Sequence, residues 1–439
     1  MSAKIIVAGG GHGGIATAIL LAEKGYDVTV YEKNSRENMG YDWTDIFAPG
    51  SLKDIGLALP DESLFEYKTD MTFYSTDERK AIYQDVPLDE REIKMERRDI
   101  YNMIIEKAEK HGVKFVYSCK IEAPIIDGTR VVGIKTDKGD IYGDLIIDAC
   151  GCGSPVRMNL PKNFRIQKAP SKNEKFYVYR EFYNKVDGAV AEDKYKVCLL
   201  PEGKTGIGWV ASEEEYTDLL IGRFEPFDLE EAERTADVYR SKNPTLGTEL
   251  VRGGQFVQIP VRQPLSVMVC DGYAAIGDSA FMTVPIIGSG IANSFRAAKI
   301  LAETILDDFD NKYSAETLWK YQLRFYKELG SGLAPLAIVK ILLTKLTPEQ
   351  LDYIFEKGIL TSKEMTITAN STGMSDFFHF SPDLPKRGLA IVKDRALTKE
   401  LLWVAKKMVE VIIVCSTIPK EYNRADVFKW AWKYDQIFR

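Results

Sequence analysis

Residues 4–33 constrain the fold more than any other stretch. Lys4-Ile5-Ile6-Val7-Ala8 is a short apolar run, and Gly9-Gly10-Gly11-His12-Gly13-Gly14 follows it directly. Ile15, Ala18, Ile19 and Ala22 then recur at helical spacing, and Asp27 to Glu32 reads as a second strand ending in an acid. Strand, glycine turn, helix, strand and acid together describe a dinucleotide site. Gly9 permits the tight turn, Gly11 lets a pyrophosphate approach the backbone, and Gly14 lets the helix pack closely on the strand. The helix start at His12 and Gly13 offers N–H groups and a partial positive charge to phosphates. Glu32 lies 18 residues after Gly14, next to Lys33, near the spacing of an acid that accepts ribose hydroxyls. An acid there repels a 2′-phosphate, so FAD or NAD fits better than NADP.

A chain of 439 residues exceeds what one core usually serves, so two or three lobes are expected. Its net charge of -6 and the lack of a basic block argue against nucleic acid. The first strand begins at once, so no signal peptide is expected and the location read is cytoplasmic. The six cysteines are scattered and form no CxxC pair, and there are only three histidines. No metal or iron–sulfur centre is expected.

Along the chain, Gly40-Tyr41-Asp42-Trp43-Thr44-Asp45-Ile46-Phe47 mixes aromatics and acids in a loop that can face the cofactor or simply pack. Ile93 to Gly112 reads as a turn and an amphipathic helix with Arg97 and Arg98 at its start. Arginines there oppose the helix dipole, so they point to an external partner such as a phosphate. Lys114 to Asp148 reads as a small antiparallel meander, after which Leu145-Ile146-Ile147 returns to the first sheet. Asn159 to Pro264 is a β-rich lobe interrupted by a helix at Leu229–Arg240, and such a sheet can floor a substrate cavity.

A second informative stretch runs from Gly272 to Leu301. Tyr273–Ile276 is a strand, Gly277-Asp278-Ser279-Ala280 a turn, and Pro285-Ile286-Ile287-Gly288-Ser289-Gly290-Ile291 leads into a long helix. Asp278 can accept sugar-chain hydroxyls, and the second helix start suits the negative edge of a reduced flavin. Two helix starts, one for phosphates and one for a ring, select FAD over NAD. Beyond residue 310, Thr347-Pro348-Glu349 starts a helix, and Leu401–Cys415 is amphipathic, which suits core packing, an apolar tunnel or a membrane surface.

With both stretches in view, the sequence resembles the FAD-dependent superfamily of geranylgeranyl reductases and aromatic hydroxylases. The resemblance rests on Gly9-x-Gly11-x-x-Gly14 with Glu32, on Gly151 to Arg157, and on Gly277-Asp278 followed by Pro285-x-x-Gly288-x-Gly290. It implies that Glu32, Arg97 and Asp278 hold the adenine ribose, the phosphates and the ribityl chain, and that the Gly288–Ile291 backbone holds the pyrimidine edge. It places Tyr41, Trp43 and Asp45 on the flavin-facing wall as candidate catalytic residues, with Cys198 a further candidate for the cavity. Phe281 stands where hydroxylases carry a histidine, and Gly288-Ser289-Gly290-Ile291 looks more like the prenyl-reductase form.

The expected fold is α/β: a Rossmann-like FAD-binding domain (1–158 and 265–310), an antiparallel β-sheet substrate domain (159–264) and a helical C-terminal region (311–439). The expected function is an FAD-dependent oxidoreductase that reduces a carbon–carbon double bond by hydride transfer from flavin N5. A flavin-dependent monooxygenase and an electron-transfer flavoprotein are the alternatives. The expected partners are an apolar small molecule, an external donor such as NAD(P)H or a ferredoxin-like protein, and a peripheral membrane contact.

Overall fold

The computed structural model describes residues 3–369 and 391–439. A six-stranded sheet forms the first layer, in the order Val269–Cys270, Tyr273–Ala275, Leu145–Asp148, Lys4–Ala8, Asp27–Tyr31 and Lys114–Val116. All but the first of these run parallel. Val7 pairs with Val30 on one side and with Ile147 on the other. These strands are apolar on both faces because helices cover both, as parallel sheets require. The chain leaves Lys4–Ala8 toward one edge and later returns on its other side. The strand order therefore reverses at the carboxyl end of Lys4–Ala8, where the glycine turn lies and where open α/β sheets bind ligands.

Helices His12–Ala22 and Ile291–Leu306 pack against one another over this sheet. The expected meander is present as Ile121–Asp127, Arg130–Thr136 and Gly139–Tyr142. A small sheet of Thr44–Phe47, Ile93–Glu96 and Phe65–Tyr67 connects the glycine-turn lobe to the next layer.

That layer is a seven-stranded sheet, in the order Leu246–Pro260, Lys175–Lys185, Tyr216–Arg223, Gly206–Ser212, Tyr195–Leu199, Thr72–Tyr74 and Ala81–Tyr83. Five of the strands come from 159–264. The last two come from inside the 1–158 segment, and Thr72–Tyr74 pairs parallel with Tyr195–Leu199. Without this hairpin Tyr195–Leu199 would present an open edge. The sheet alternates its faces with period two. Cys198, Val210, Leu219 and Ile221 pack under helix Leu229–Lys242 with Ala232 and Ala236, while Tyr195 and Val197 face the other way.

The C-terminal region is helical, as expected, and shares one continuous core with the parallel-sheet lobe. Trp319, Tyr326, Trp430 and Tyr434 form its aromatic centre, with Trp430 stacked on Tyr434 at 5.4 Å. Tyr326 donates its hydroxyl to the Leu265 carbonyl at 2.8 Å, fixing the helix to the segment that leads into the sheet. Pro348–Glu356 opens with the Thr347–Gln350 capping box. Among the described residues no single helix is long and apolar enough to cross a bilayer.

Candidate active site

One cavity of about 930 Å³ runs from the glycine turn, past the Gly288–Gly290 turn, to the face of the seven-stranded sheet and the C-terminal helices. Its first end is built by the chain reversal at Ala8. Gly9 adopts φ +90°, a conformation side chains rarely take, and a Cβ there would lie 2.8 Å from the Ala149 carbonyl oxygen. Gly14 does not line the cavity; a Cβ there would meet Ala149 Cβ at 2.6 Å and Val7 Cγ1 at 2.8 Å. Its bareness serves helix-to-strand packing, as expected.

Glu32 is buried at the tip of its strand and receives the Gly10 N–H at 2.8 Å and the Asn34 N–H at 2.9 Å. These bonds hold the carboxylate beside the turn with lone pairs to spare for a ribose. Asp148 braces the neighbouring strand end. Its carboxylate accepts from Ser154 Oγ at 2.6 Å, Tyr273 Oη at 2.8 Å and Ser279 Oγ at 3.0 Å. This buried acid ties the Cys150–Gly153 turn to the Gly277–Ser279 turn, and the sequence reading had not singled it out.

Where the two lobes meet, Arg97 Nη2 donates to Asp45 Oδ1 at 2.6 Å, and its guanidinium lies 3.9 Å over the Tyr41 ring. The external partner expected for Arg97 is thus met in part by an acid from its own chain, while Arg98 stays exposed. His12 stacks on Tyr101 with centroids 4.4 Å apart. Burial, with help from Arg97, drives its pKa well below the usual imidazole value, so it is neutral. Burial pushes the Tyr41 phenol up to about 12 and raises the Asp278 carboxyl, whose Oδ1 accepts from Thr283 Oγ1 at 2.7 Å.

The far arm is mainly apolar. Val197, Leu199, Ile207, Trp209 and Leu220 form its floor, and Val339, Leu343, Leu360 and Met365 its roof. Arg180 is buried in that floor, bound to Asp218 through Nε at 2.8 Å and Nη2 at 2.6 Å and to the Thr44 carbonyl through Nη1 at 2.7 Å. Lys68 and Glu92, 3.4 Å apart, line the same arm.

Most of the residues singled out in the sequence converge on this cavity. Gly9, Gly11, His12, Gly13, Glu32 and Lys33 line one end, and Asp278, Gly288, Gly290 and Ile291 the middle, with Tyr41, Trp43, Asp45 and Arg97 beside them. Pro285 is buried outside the lining. Cys198 is displaced from the cavity entirely: on an alternating strand it shares a face with the helix-covered core, and its neighbours Val197 and Leu199 reach the cavity instead. Arg180, Lys68, Glu92 and Tyr195 were missed. The alternation of Tyr195, Val197 and Leu199 was the available signal for the last.

The residues present fit FAD. Helices His12–Ala22 and Ile291–Leu306 both open into the cavity, capped by Gly11 and Gly290 with no side-chain acceptor on their first-turn N–H groups. His12 Nε2, Trp43 Nε1, Asp45 Oδ2 and Arg97 Nε are buried here and have no hydrogen-bond partner among the described residues. A dinucleotide bearing a polar ring supplies partners for such groups.

Comparison with known proteins agrees. Residues 7–58 match the NAD(P)-binding Rossmann-like domain family. A digeranylgeranylglycerophospholipid reductase of Sulfolobus acidocaldarius is 23% identical over 400 residues, covering 82% of each chain. The protein of that name from Haloferax volcanii is 22% identical over 383 residues, covering 80% of this chain and 88% of the relative. Among solved structures, a geranylgeranyl bacteriochlorophyll reductase-like protein from Thermoplasma acidophilum superposes with a TM-score of 0.72 at 18% identity, covering 92% of this chain and 99% of the other. The p-nitrophenol 4-monooxygenase PnpA of Pseudomonas putida gives 0.60 at 17% identity, covering 85% and 98%. In fold and over most of its length, the chain resembles the FAD-dependent superfamily of geranylgeranyl reductases and aromatic-hydroxylase-like flavoproteins.

Proposed function

We propose that this protein is an FAD-dependent oxidoreductase that reduces a carbon–carbon double bond of an apolar, unsaturated substrate. The carrying observation is the single cavity that joins the two glycine-capped helix starts to a long apolar arm. When bound and reduced, FAD supplies the hydride. The chain's own residues do the rest. The turn around Gly9 and the helix start at His12 hold the pyrophosphate, Glu32 the adenine ribose and Asp278 the ribityl chain. The Arg97–Asp45 pair, stacked on Tyr41, sets the wall between phosphates and ring, and Trp43 covers it. The Gly288–Ile291 backbone presents N–H groups and the positive end of a helix dipole to the pyrimidine edge, where reduction adds negative charge. The floor and roof exclude water and orient the alkene.

The reductant is external in this reading. The name of the Sulfolobus and Haloferax relatives, a phospholipid reductase, supports a lipid-like substrate here, and a surface feature supports delivery from a membrane. Helix Arg395–Ser416 leaves Leu402, Val409, Ile412 and Ile413 exposed, and helix Arg424–Ile437 leaves Trp432 exposed. From Arg395 to Arg439 there are nine basic residues against five acidic ones, in a chain of net charge -6. Apolar residues and tryptophan among lysines suit an anionic lipid surface. The first of these helices packs on Ser331–Leu343, which gives Val339 and Leu343 to the cavity roof.

The test is to photoreduce the purified holoenzyme without oxygen and then add polyprenols or unsaturated lipids, or oxygen with aromatic acceptors. Reoxidation with saturation of an alkene is the expected outcome. Stoichiometric hydroxylated product with oxygen, and no alkene saturation, supports the monooxygenase instead. Reoxidation only by quinones or redox proteins supports the electron carrier.

A further inference from the structure

Hydride addition to one carbon of a double bond leaves the electron pair on the other, and that carbon must take a proton. The apolar arm holds few groups able to give one. Arg180 is committed to Asp218 and Thr44. Asp45 gives Oδ1 to Arg97 at 2.6 Å, and its unpartnered Oδ2 stands at the wall proposed for the cofactor. Glu92 is a buried carboxyl lining the arm, and its charged partner, the Lys68 amine, lies at 3.4 Å, farther than the 2.6–2.8 Å contacts that hold Arg180 and Asp45.

Its position follows from strand pairing. The Glu92 carbonyl accepts the Lys68 N–H at 2.9 Å, and the strand Ile93–Glu96 that begins just after it pairs antiparallel with Thr44–Phe47. Lys94 stands opposite Ile46. Residues two apart on a strand share a face, so Glu92 follows Lys94 on the face Ile46 uses, about 7 Å further along. Ile46 itself lines the cavity, and its carbonyl accepts Ser289 Oγ at 3.2 Å. Glu92 therefore sits one pleat from the contact between this sheet and the Gly288–Gly290 turn.

We propose that Glu92 is the proton donor for alkene reduction, with Lys68 setting its acidity. This rests on the reductase reading above. The double bond takes a hydride, with both electrons, from the reduced cofactor at one carbon. The Glu92 O–H bond breaks, its proton forms the new C–H bond at the other carbon, and Glu92 carboxylate remains until a solvent proton restores it. Burial pushes the Glu92 carboxyl up, and Lys68 opposes that only in part. Among the described residues, the charged and titratable groups near it include Tyr195, the Lys94–Glu213–Glu66 cluster and the Arg91–Asp70 pair, and Glu364 lines the same cavity.

The test compares wild type, Glu92→Gln and Lys68→Met as FAD-loaded enzymes, photoreduced and mixed with a polyprenol that reoxidises wild type. In wild type the rate falls as pH rises through the Glu92 pKa. Glu92→Gln slows the reaction by about 10²–10⁴-fold and loses that limb. Lys68→Met removes a positive charge that favours the carboxylate, so its limb moves to higher pH. Infrared spectra of the FAD-loaded, unreacted protein across the pH range give a readout independent of turnover: a carboxyl C=O band, shifted by D₂O, that grows as pH falls in wild type is missing in Glu92→Gln. A Glu92→Gln enzyme with wild-type rate and limb, or wild type without that band, overturns the proposal while the reductase reading stands. If no alkene reoxidises wild type, the reductase reading itself falls, and the proposal with it.

Discussion

Arg180 grips both carboxylate oxygens of Asp218, through Nε at 2.8 Å and Nη2 at 2.6 Å, and with its remaining nitrogen holds the Thr44 carbonyl at 2.7 Å. Both side chains are almost completely buried. The pair thus pins the strand that carries Asp45 and Ile46 onto the floor of the apolar arm. Removing one partner strands a buried charge. Asp218→Asn or Arg180→Met is expected to lose about 3–5 kcal/mol in urea unfolding, and the double Arg180→Met/Asp218→Leu variant to lose less. Equal losses in single and double variants would show that Thr44, not the pair, carries the effect.

His12 predicts a pH dependence. Its folded pKa lies well below 6.5 because burial disfavours the imidazolium, with Arg97 adding to the effect. Unfolded chain therefore gains a proton below about pH 6.5 that the folded chain refuses, and stability falls as pH drops, by up to about 1.4 kcal/mol per unit. His12→Gln removes this contribution. Melting temperatures from pH 8 to pH 5 should fall less steeply in the variant; parallel curves would contradict the assignment.

Glu32 couples the turn to the cofactor. Glu32→Ala leaves the Gly10 N–H without its acceptor and removes a charged acceptor for the ribose. FAD affinity, read by fluorescence quenching on titration of the cofactor-free protein, should drop about 10–100-fold, the equivalent of one charge-assisted hydrogen bond. Unchanged affinity would remove Glu32 from the site.

Sedimentation with lipid vesicles tests the helical surface. Binding is expected to anionic vesicles, weaker to zwitterionic ones and weaker again in high salt. Replacing Leu402, Val409 and Ile413 by serine should reduce binding without lowering the melting temperature, since all three side chains are exposed. Equal binding by the variant would rule out this face.

The cofactor end was legible in the sequence because its requirements are local. A tight turn, a bare helix start and an acid at a set spacing fall within residues 4–33, and the second turn repeats the device near Gly288. The substrate end was less legible because it is made by distant pairing. Thr72–Tyr74 and Ala81–Tyr83 are three residues long and acquire meaning only beside Tyr195–Leu199, some 120 residues away. Lys68 and Glu92 resemble surface charges until that layer covers them. Cys198 shows a simpler limit: its strand was recognised, but which of its two faces met the cavity depended on the helix packed beneath it.

The roof of the cavity has a consequence for how such an enzyme diversifies. Val339, Leu343 and Met365 come from C-terminal helices and Leu360 from the connection between two of them, whereas every proposed cofactor contact lies before residue 292. The cofactor apparatus and the roof of the chamber are thus encoded in separate stretches of one gene, with the floor between them in sequence. Changes in the helices can lengthen, shorten or reshape the chamber while the redox apparatus stays intact, so new substrates are reachable without reinventing the reaction.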